Sequence, residues 1–132
     1  MTALIVDASV AIGWFVTEIR SAEAERFLSP PYQRIAPDLL ALEVANGLWK
    51  YERRGLIDAR QRSAALEALT RFVDMRSLTQ PDLFAASNLA AQHNHPVYDC
   101  LYLALAMREG AALATFDARM IALAKSVGVE VI

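Results

Sequence analysis

Short apolar stretches alternating with helix-period segments are the feature that most narrows the fold of this chain. Residues 3 to 7 (ALIVD), 33 to 36 (QRIA), 75 to 78 (MRSL), 112 to 116 (ALATF) and 129 to 132 (VEVI) read as five strands, each bounded by turn or capping residues. Between them, residues 20 to 28, 38 to 54, 58 to 72, 82 to 94, 98 to 109 and 117 to 127 repeat apolar side chains at three and four, the spacing of an amphipathic helix. Asp38, Asp58 and Asp82 stand where N-caps or first-turn acids belong, and Gly55, Gly110 and Gly128 each follow a helical run. Parallel strands cannot be joined by tight turns and need crossovers, usually helical. The alternation therefore predicts an α/β fold: a three-layer α/β/α sandwich around a mostly parallel five-stranded sheet. In open sheets of this kind, ligands sit outside the carboxyl ends of the strands.

A chain of 132 residues can bury roughly two thirds of the surface its unfolded form exposes, so one domain spanning residues 1 to 132 is expected. No linker-like or low-complexity segment divides it. The lone Cys100 excludes an internal disulfide and a cysteine-rich zinc site, which makes the cytoplasm the default location. No apolar run approaches the roughly 18 residues of a spanning helix, so no membrane partner is expected. The start lacks the basic-then-apolar pattern of a signal peptide, and Met1 is expected to lead directly into structure. Met75, Met107 and Met120 read as core filler. A formal net charge of −2 gives no broad basic field for nucleic acid.

Four acids interrupt otherwise apolar surroundings. Asp7 closes ALIVD, Asp117 follows LATF, Glu43 breaks LLALEVANGLW, and Asp99 sits in PVYDCLYLALAM. Glu18, Glu23, Glu25, Glu52, Glu67 and Glu109 have polar company and read as solvated helix faces. Asp7, Asp99 and Asp117 each precede a helical stretch, so each could be an ordinary N-cap. Glu43 lies inside a helix and caps nothing. Buried unpaired, its carboxylate would cost several kcal/mol, so it needs a cation or a wet cleft.

If the four converge, electrostatics restricts the outcome. Two carboxylates roughly 5 Å apart repel by about 3 kcal/mol at an effective dielectric near 20. A cluster must raise its pKa values or recruit a cation. His93, His95 and Cys100 have no metal-binding spacing, so the expected ion is hard and oxygen-loving, Mg2+ or Mn2+. Such an ion in an open cleft suits phosphate chemistry. Setting four neutralised carboxylates aside moves the formal charge from −2 to +2. Lys50, Arg53, Arg54, Arg60 and Arg62 could then meet a phosphate backbone, or could simply be a solvated helical surface.

LIVDASVAI at the N-terminus, Glu43 in a helix, VYDCLYLALA around Asp99 and LATFDARMIALA around Asp117 together resemble the PIN-domain family, specifically its VapC-type toxins of toxin–antitoxin pairs. The resemblance spans essentially the whole chain and rests on the order and spacing of the motifs. It implies a Mg2+- or Mn2+-dependent endoribonuclease whose catalytic and metal-holding acids are Asp7, Glu43, Asp99 and Asp117. Ser9, Asn46 and Thr115 match the family's supporting polar positions, although each could equally be an ordinary helix-start, solvated or strand residue. Cys100 stands where the family often has a smaller residue. The implied partners are an RNA substrate and a small VapB-like antitoxin, in a homodimer or a toxin–antitoxin hetero-oligomer. Trp14, Phe15, Trp49 and Tyr51 would serve a core, a dimer interface or an antitoxin groove. Neither His93 nor His95 is needed for such chemistry, and both are expected at a helix end.

Two other readings compete. A catalytically silent PIN fold could serve only to bind a partner, though such a module has no need of all four acids. A phospho-accepting receiver domain also gathers carboxylates around Mg2+, but it needs an acceptor Asp closing a central strand, and the third expected strand ends in RSLTQ.

Overall fold

The aliphatic residues 4 to 6 leave nothing polar for solvent, and all three are fully buried in β1 (Thr2–Val6), an inner strand of the sheet. The chain continues through α1 (Ala8–Ile12), α2 (Ser21–Glu25), a 3-10 turn (Arg26–Leu28), β2 (Tyr32–Pro37), α3 (Leu39–Arg53) and α4 (Ala59–Phe72). It then forms β3 (Asp74–Arg76), α5 (Gln80–His93), α6 (Val97–Glu109), β4 (Ala112–Ala114) and α7 (Ala118–Ser126). This computed structural model describes residues 2 to 132, so the expected role of Met1 lies outside it. The strands are parallel in the order β3-β2-β1-β4, sandwiched by helices as the alternation predicts.

The expected fifth strand is a departure. Residues 129 to 132 make one parallel bridge, Val131 to Leu113, with hydrogen bonds from Leu113 N to Glu130 O and from Ile132 N to Leu113 O. β4 is only three residues long and offers a neighbour no longer ladder. β3 also ends before residue 78, because Thr79 caps α5 by accepting from Asp82 N at 3.2 Å. The expected helix over 20 to 28 is broken into α2 and the 3-10 turn, and α1 is too short for periodicity to reveal.

Helix boundaries follow local chemistry. Asp58 and Gln61 form a reciprocal capping box at α4. Asp82 instead lies within the first turn of α5, where its buried carboxylate meets Arg108 Nε at 3.0 Å. Gly110 closes α6 in the left-handed conformation, φ 61°, that glycine adopts without a side-chain penalty. Gly47 serves a different purpose: a Cβ there would fall 2.4 Å from Ile12 Cδ1, so its absence lets α1 and α3 approach closely.

Leu40, Val44 and Leu48, fully buried at a four-residue spacing, fasten α3 to the core and so aim Glu43 along the same helix. Met120 is buried as expected, but Met107 is 53% exposed on α6. Leu48→Ala should cost about 2–5 kcal/mol through lost burial and a residual cavity, read as a lower urea midpoint with an unchanged slope.

Candidate active site

Strand register places the first part of the site. Val6 pairs with Ala114, so the next residues, Asp7 and Thr115, emerge side by side at the carboxyl ends of β1 and β4. Order β3-β2-β1-β4 puts the topological switch between those two strands, the crevice where open α/β sheets bind ligands.

Asp7 is both a helix cap and a member of the candidate site. It accepts from Val10 N at 3.2 Å, capping α1, from Ser9 Oγ at 2.6 Å, and from the Thr115 hydroxyl on its other oxygen. The two hydroxyls are themselves fixed: Phe116 N donates to Ser9 Oγ at 2.9 Å and Asp117 N to Thr115 Oγ1 at 3.0 Å. Asp7 is nevertheless only 6% exposed. Burial outweighs the Ser9, Thr115 and Val10 hydrogen bonds and, with the Glu43 charge adding, pushes its pKa up to about 6.

Glu43, half-buried on α3, accepts a hydrogen bond from the Tyr102 hydroxyl of α6. Burial raises its pKa, that hydrogen bond opposes the rise, and the charge of Asp99 adds to it. Asp99, in the first turn of α6, has its Oδ2 2.7 Å from His95 Nε2. Tyr102 is almost completely buried. Burial first, then the charge of Glu43 and its hydrogen bond, then Asp7 and Asp99, hold its hydroxyl protonated far above the ordinary tyrosine range. Asp7, Glu43 and Asp99 thus share one electrostatic neighbourhood, built from β1, α3 and α6.

Asp117 stands apart. It is exposed and caps α7, accepting from Arg119 N at 2.8 Å and Met120 N at 3.3 Å. Its link to the others is the Thr115 hydroxyl. Asn46 lies exposed on α3, one turn beyond Glu43. Ser9 and Thr115 join the constellation directly through Asp7.

Among the described residues, Arg and Lys make ion pairs only with Glu23, Glu52, Glu67, Asp74, Asp82 and Glu109. The site acids are instead met by hydroxyls, an imidazole and backbone amides. No three acidic, His or Cys side chains among the described residues stand close enough to ligate one ion together. The donor chemistry, carboxylate oxygens without an Arg or Lys partner, fits a hard divalent ion.

Tyr102 and His95 were not legible as site residues. Tyr102 lies three residues after Asp99 and His95 four before it, spacings at which helical side chains meet, and that was the available signal. His93 ends α5 as expected, whereas His95 lies in the loop leading to α6. Trp14 and Phe15 are partly buried against the core, packed with Phe72, and Trp14 Nε1 donates to Ala24 O at 2.7 Å. Trp49 is half exposed beneath the Arg53 guanidinium, 4.7 Å from its ring, while the Tyr51 hydroxyl donates to Glu18. Within the basic stretch, Arg62 is also committed, to Glu52.

Fold and site together define an α/β protein with an acidic crevice at the switch point of a parallel sheet. The PIN-domain profile matches residues 4–126. Ribonuclease VapC3 of Pyrobaculum aerophilum is 41% identical over 122 residues, covering 89% of this chain and 91% of the relative. The chain therefore belongs to the PIN-domain family, among the VapC ribonucleases. Two solved structures share the fold: VapC20 of Mycobacterium tuberculosis, a sarcin-ricin loop cleaving toxin, and a toxin–antitoxin complex from Klebsiella pneumoniae. The first has a TM-score of 0.72 at 20% identity, covering 90% of this chain and 93% of the other. The second has a TM-score of 0.69 at 21% identity, covering 90% of each chain. The receiver-domain reading ends with this assignment.

Because the folded-state pKa of Asp7 is raised, the folded protein holds a proton there that the unfolded chain releases near pH 3.8. Its contribution to stability is complete below that pH and is lost as pH rises through about 6. In chelator, the stability of wild type relative to Asp7→Asn should therefore fall between pH 4 and 7, as measured by urea unfolding. A constant difference across that range would remove the buried-carboxylate description.

Proposed function

We propose that this ribonuclease is the toxin of a toxin–antitoxin pair and hydrolyses RNA phosphodiester bonds with Mg2+ or Mn2+ held by Asp7, Glu43 and Asp99, Asp117 completing the site from its rim. The observation that carries this reading is the grouping of Asp7, Glu43 and Asp99 without an Arg or Lys partner. When bound, the ion would lower the pKa of water and offset charge on the phosphate oxygens.

The chain's own residues supply position. Ser9 and Thr115 fix both oxygens of Asp7, so its carboxylate cannot swing away from the crevice. Tyr102 holds Glu43 and His95 holds Asp99, each by a single contact to one carboxylate oxygen. The exposed Asp117 is available to orient water arriving from solvent. Neither histidine has to shuttle a proton, which separates this chemistry from acid–base cleavage through the ribose hydroxyl.

Restraint by a small antitoxin follows from the family's toxin–antitoxin relatives, and an acidic crevice offers a partner's Arg or Lys a place to substitute for the ion. No helix among the described residues is long and apolar enough to cross a membrane. A free buried Cys100 and a nuclease acting on cellular RNA fit the cytoplasm.

Purified protein incubated with mixed RNAs and Mg2+ or Mn2+ should generate discrete fragments. Asp7→Asn and Asp99→Asn should each lower the rate by about a hundredfold or more. Excess EDTA should stop cleavage, and added metal should restore it. Undiminished cleavage in EDTA, with the variants equally active, would refute the metal-dependent site.

A further inference from the structure

An open groove of about 620 Å³ runs outward from the acidic crevice, and its inner wall is Ser9, the residue that also donates to Asp7. Phe116 forms the adjoining wall, anchored where its backbone N–H meets Ser9 Oγ. Tyr51 of α3 lines the groove, and its hydroxyl bond to Glu18 ties α3 to the α1–α2 connection. That connection supplies the rim. Arg20 lays its guanidinium over the Phe116 ring, 3.9 Å from the centroid, while Glu23 engages the same group at 2.8 Å. Ile19 beside it is fully exposed.

We propose that this groove is a nucleobase subsite, in which the base of a nucleotide flanking the scissile phosphate leaves its stack and packs on the Arg20–Phe116 pair. This rests on the ribonuclease reading above, because only a phosphate held at the acids puts a neighbouring base within reach of Ser9 and Phe116. Three features select a base. The lining is mostly apolar and includes two aromatic rings, as a planar π surface requires. The guanidinium already lies over one ring and is steadied by Glu23, so it is placed to stack on a base as well as to meet phosphate. The groove also adjoins the acids through Ser9, which lines it and donates to Asp7. Bases that specify single-stranded RNA are read in this way, splayed out against aromatic and guanidinium planes. Arg20 is then a specificity-determining residue and the α1–α2 connection the segment that sets base preference.

The test pairs base deletion with side-chain deletion. Short fluorescent oligoribonucleotides, each with one abasic position, are titrated by anisotropy onto Asp7→Asn and onto Asp7→Asn with Arg20→Ala, so that cleavage does not intrude. One abasic position should weaken binding about tenfold in the Arg20 background, with that penalty largely lost in Arg20→Ala. In the cleavage assay, the single variant Arg20→Ala should raise KM and flatten base preference at the same position, with melting temperature and Mn2+ affinity unchanged. Equal abasic penalties in both backgrounds at every position would overturn the subsite, as would absence of any binding. So would Arg20→Ala weakening only capture of the coexpressed neighbouring small protein, an outcome that assigns the groove to a protein partner. Failure of the ribonuclease reading is separate: it appears as wild type bound to RNA yet unable to cut it with Mn2+.

Discussion

The hydrogen bonds that converge on Asp7 are the constraint on which the rest of the site depends. One carboxylate accepts from α1 through Val10 N, from Ser9 and from Thr115 beyond β4, so the chain's first strand, first helix and fourth strand meet in one residue. Phe116 N and Asp117 N then bond to those same hydroxyls, which carries the order on to the start of α7. Register makes this possible, because pairing Val6 with Ala114 sets Asp7 beside Thr115. A slip by one residue would turn the Thr115 side chain away.

The knot orders the site without neutralising it. Hydroxyls and backbone amides lower a carboxylate's pKa, yet burial of Asp7 wins and the value rises. Glu43 shows the same balance, with the Tyr102 hydroxyl set against burial and the Asp99 charge. Proteins generally cancel buried charge with an opposite one, and here Arg108 of α6 does so for Asp82 of α5. Asp82 is thus paired with an arginine, whereas Asp7, Glu43 and Asp99 have no Arg or Lys partner.

Much of this was legible in the order of residues, and the exceptions share a physical cause. Long helices and the parallel sheet followed from periodicity, because α3 and α4 each present one buried face. The expected fifth strand is reduced to a single bridge between Val131 and Leu113, a pairing length that residues 129 to 132 do not encode. Asp7, Glu43 and Asp99 stood out as acids in apolar surroundings, and burial made them so. Asp117 was grouped with them by the same pattern; it is exposed and caps α7, joined to Asp7 through the Thr115 hydroxyl. Tyr102 was hidden in YLALAM because a tyrosine in an apolar helix reads as core. Its ring is core, while its hydroxyl belongs to the site.

The central claim is that Asp7, Glu43 and Asp99 share one neighbourhood without an Arg or Lys partner, and that a divalent cation relieves their mutual repulsion. Glu43→Gln measures it directly, because the amide oxygen can still accept from Tyr102 while the charge is gone. Thermal melts at pH 7.5 in chelator should place Glu43→Gln at or above wild type, and saturating Mn2+ should raise wild type by several degrees but the variant by much less. A variant that melts well below wild type in chelator, yet gains as much from Mn2+, would contradict the account.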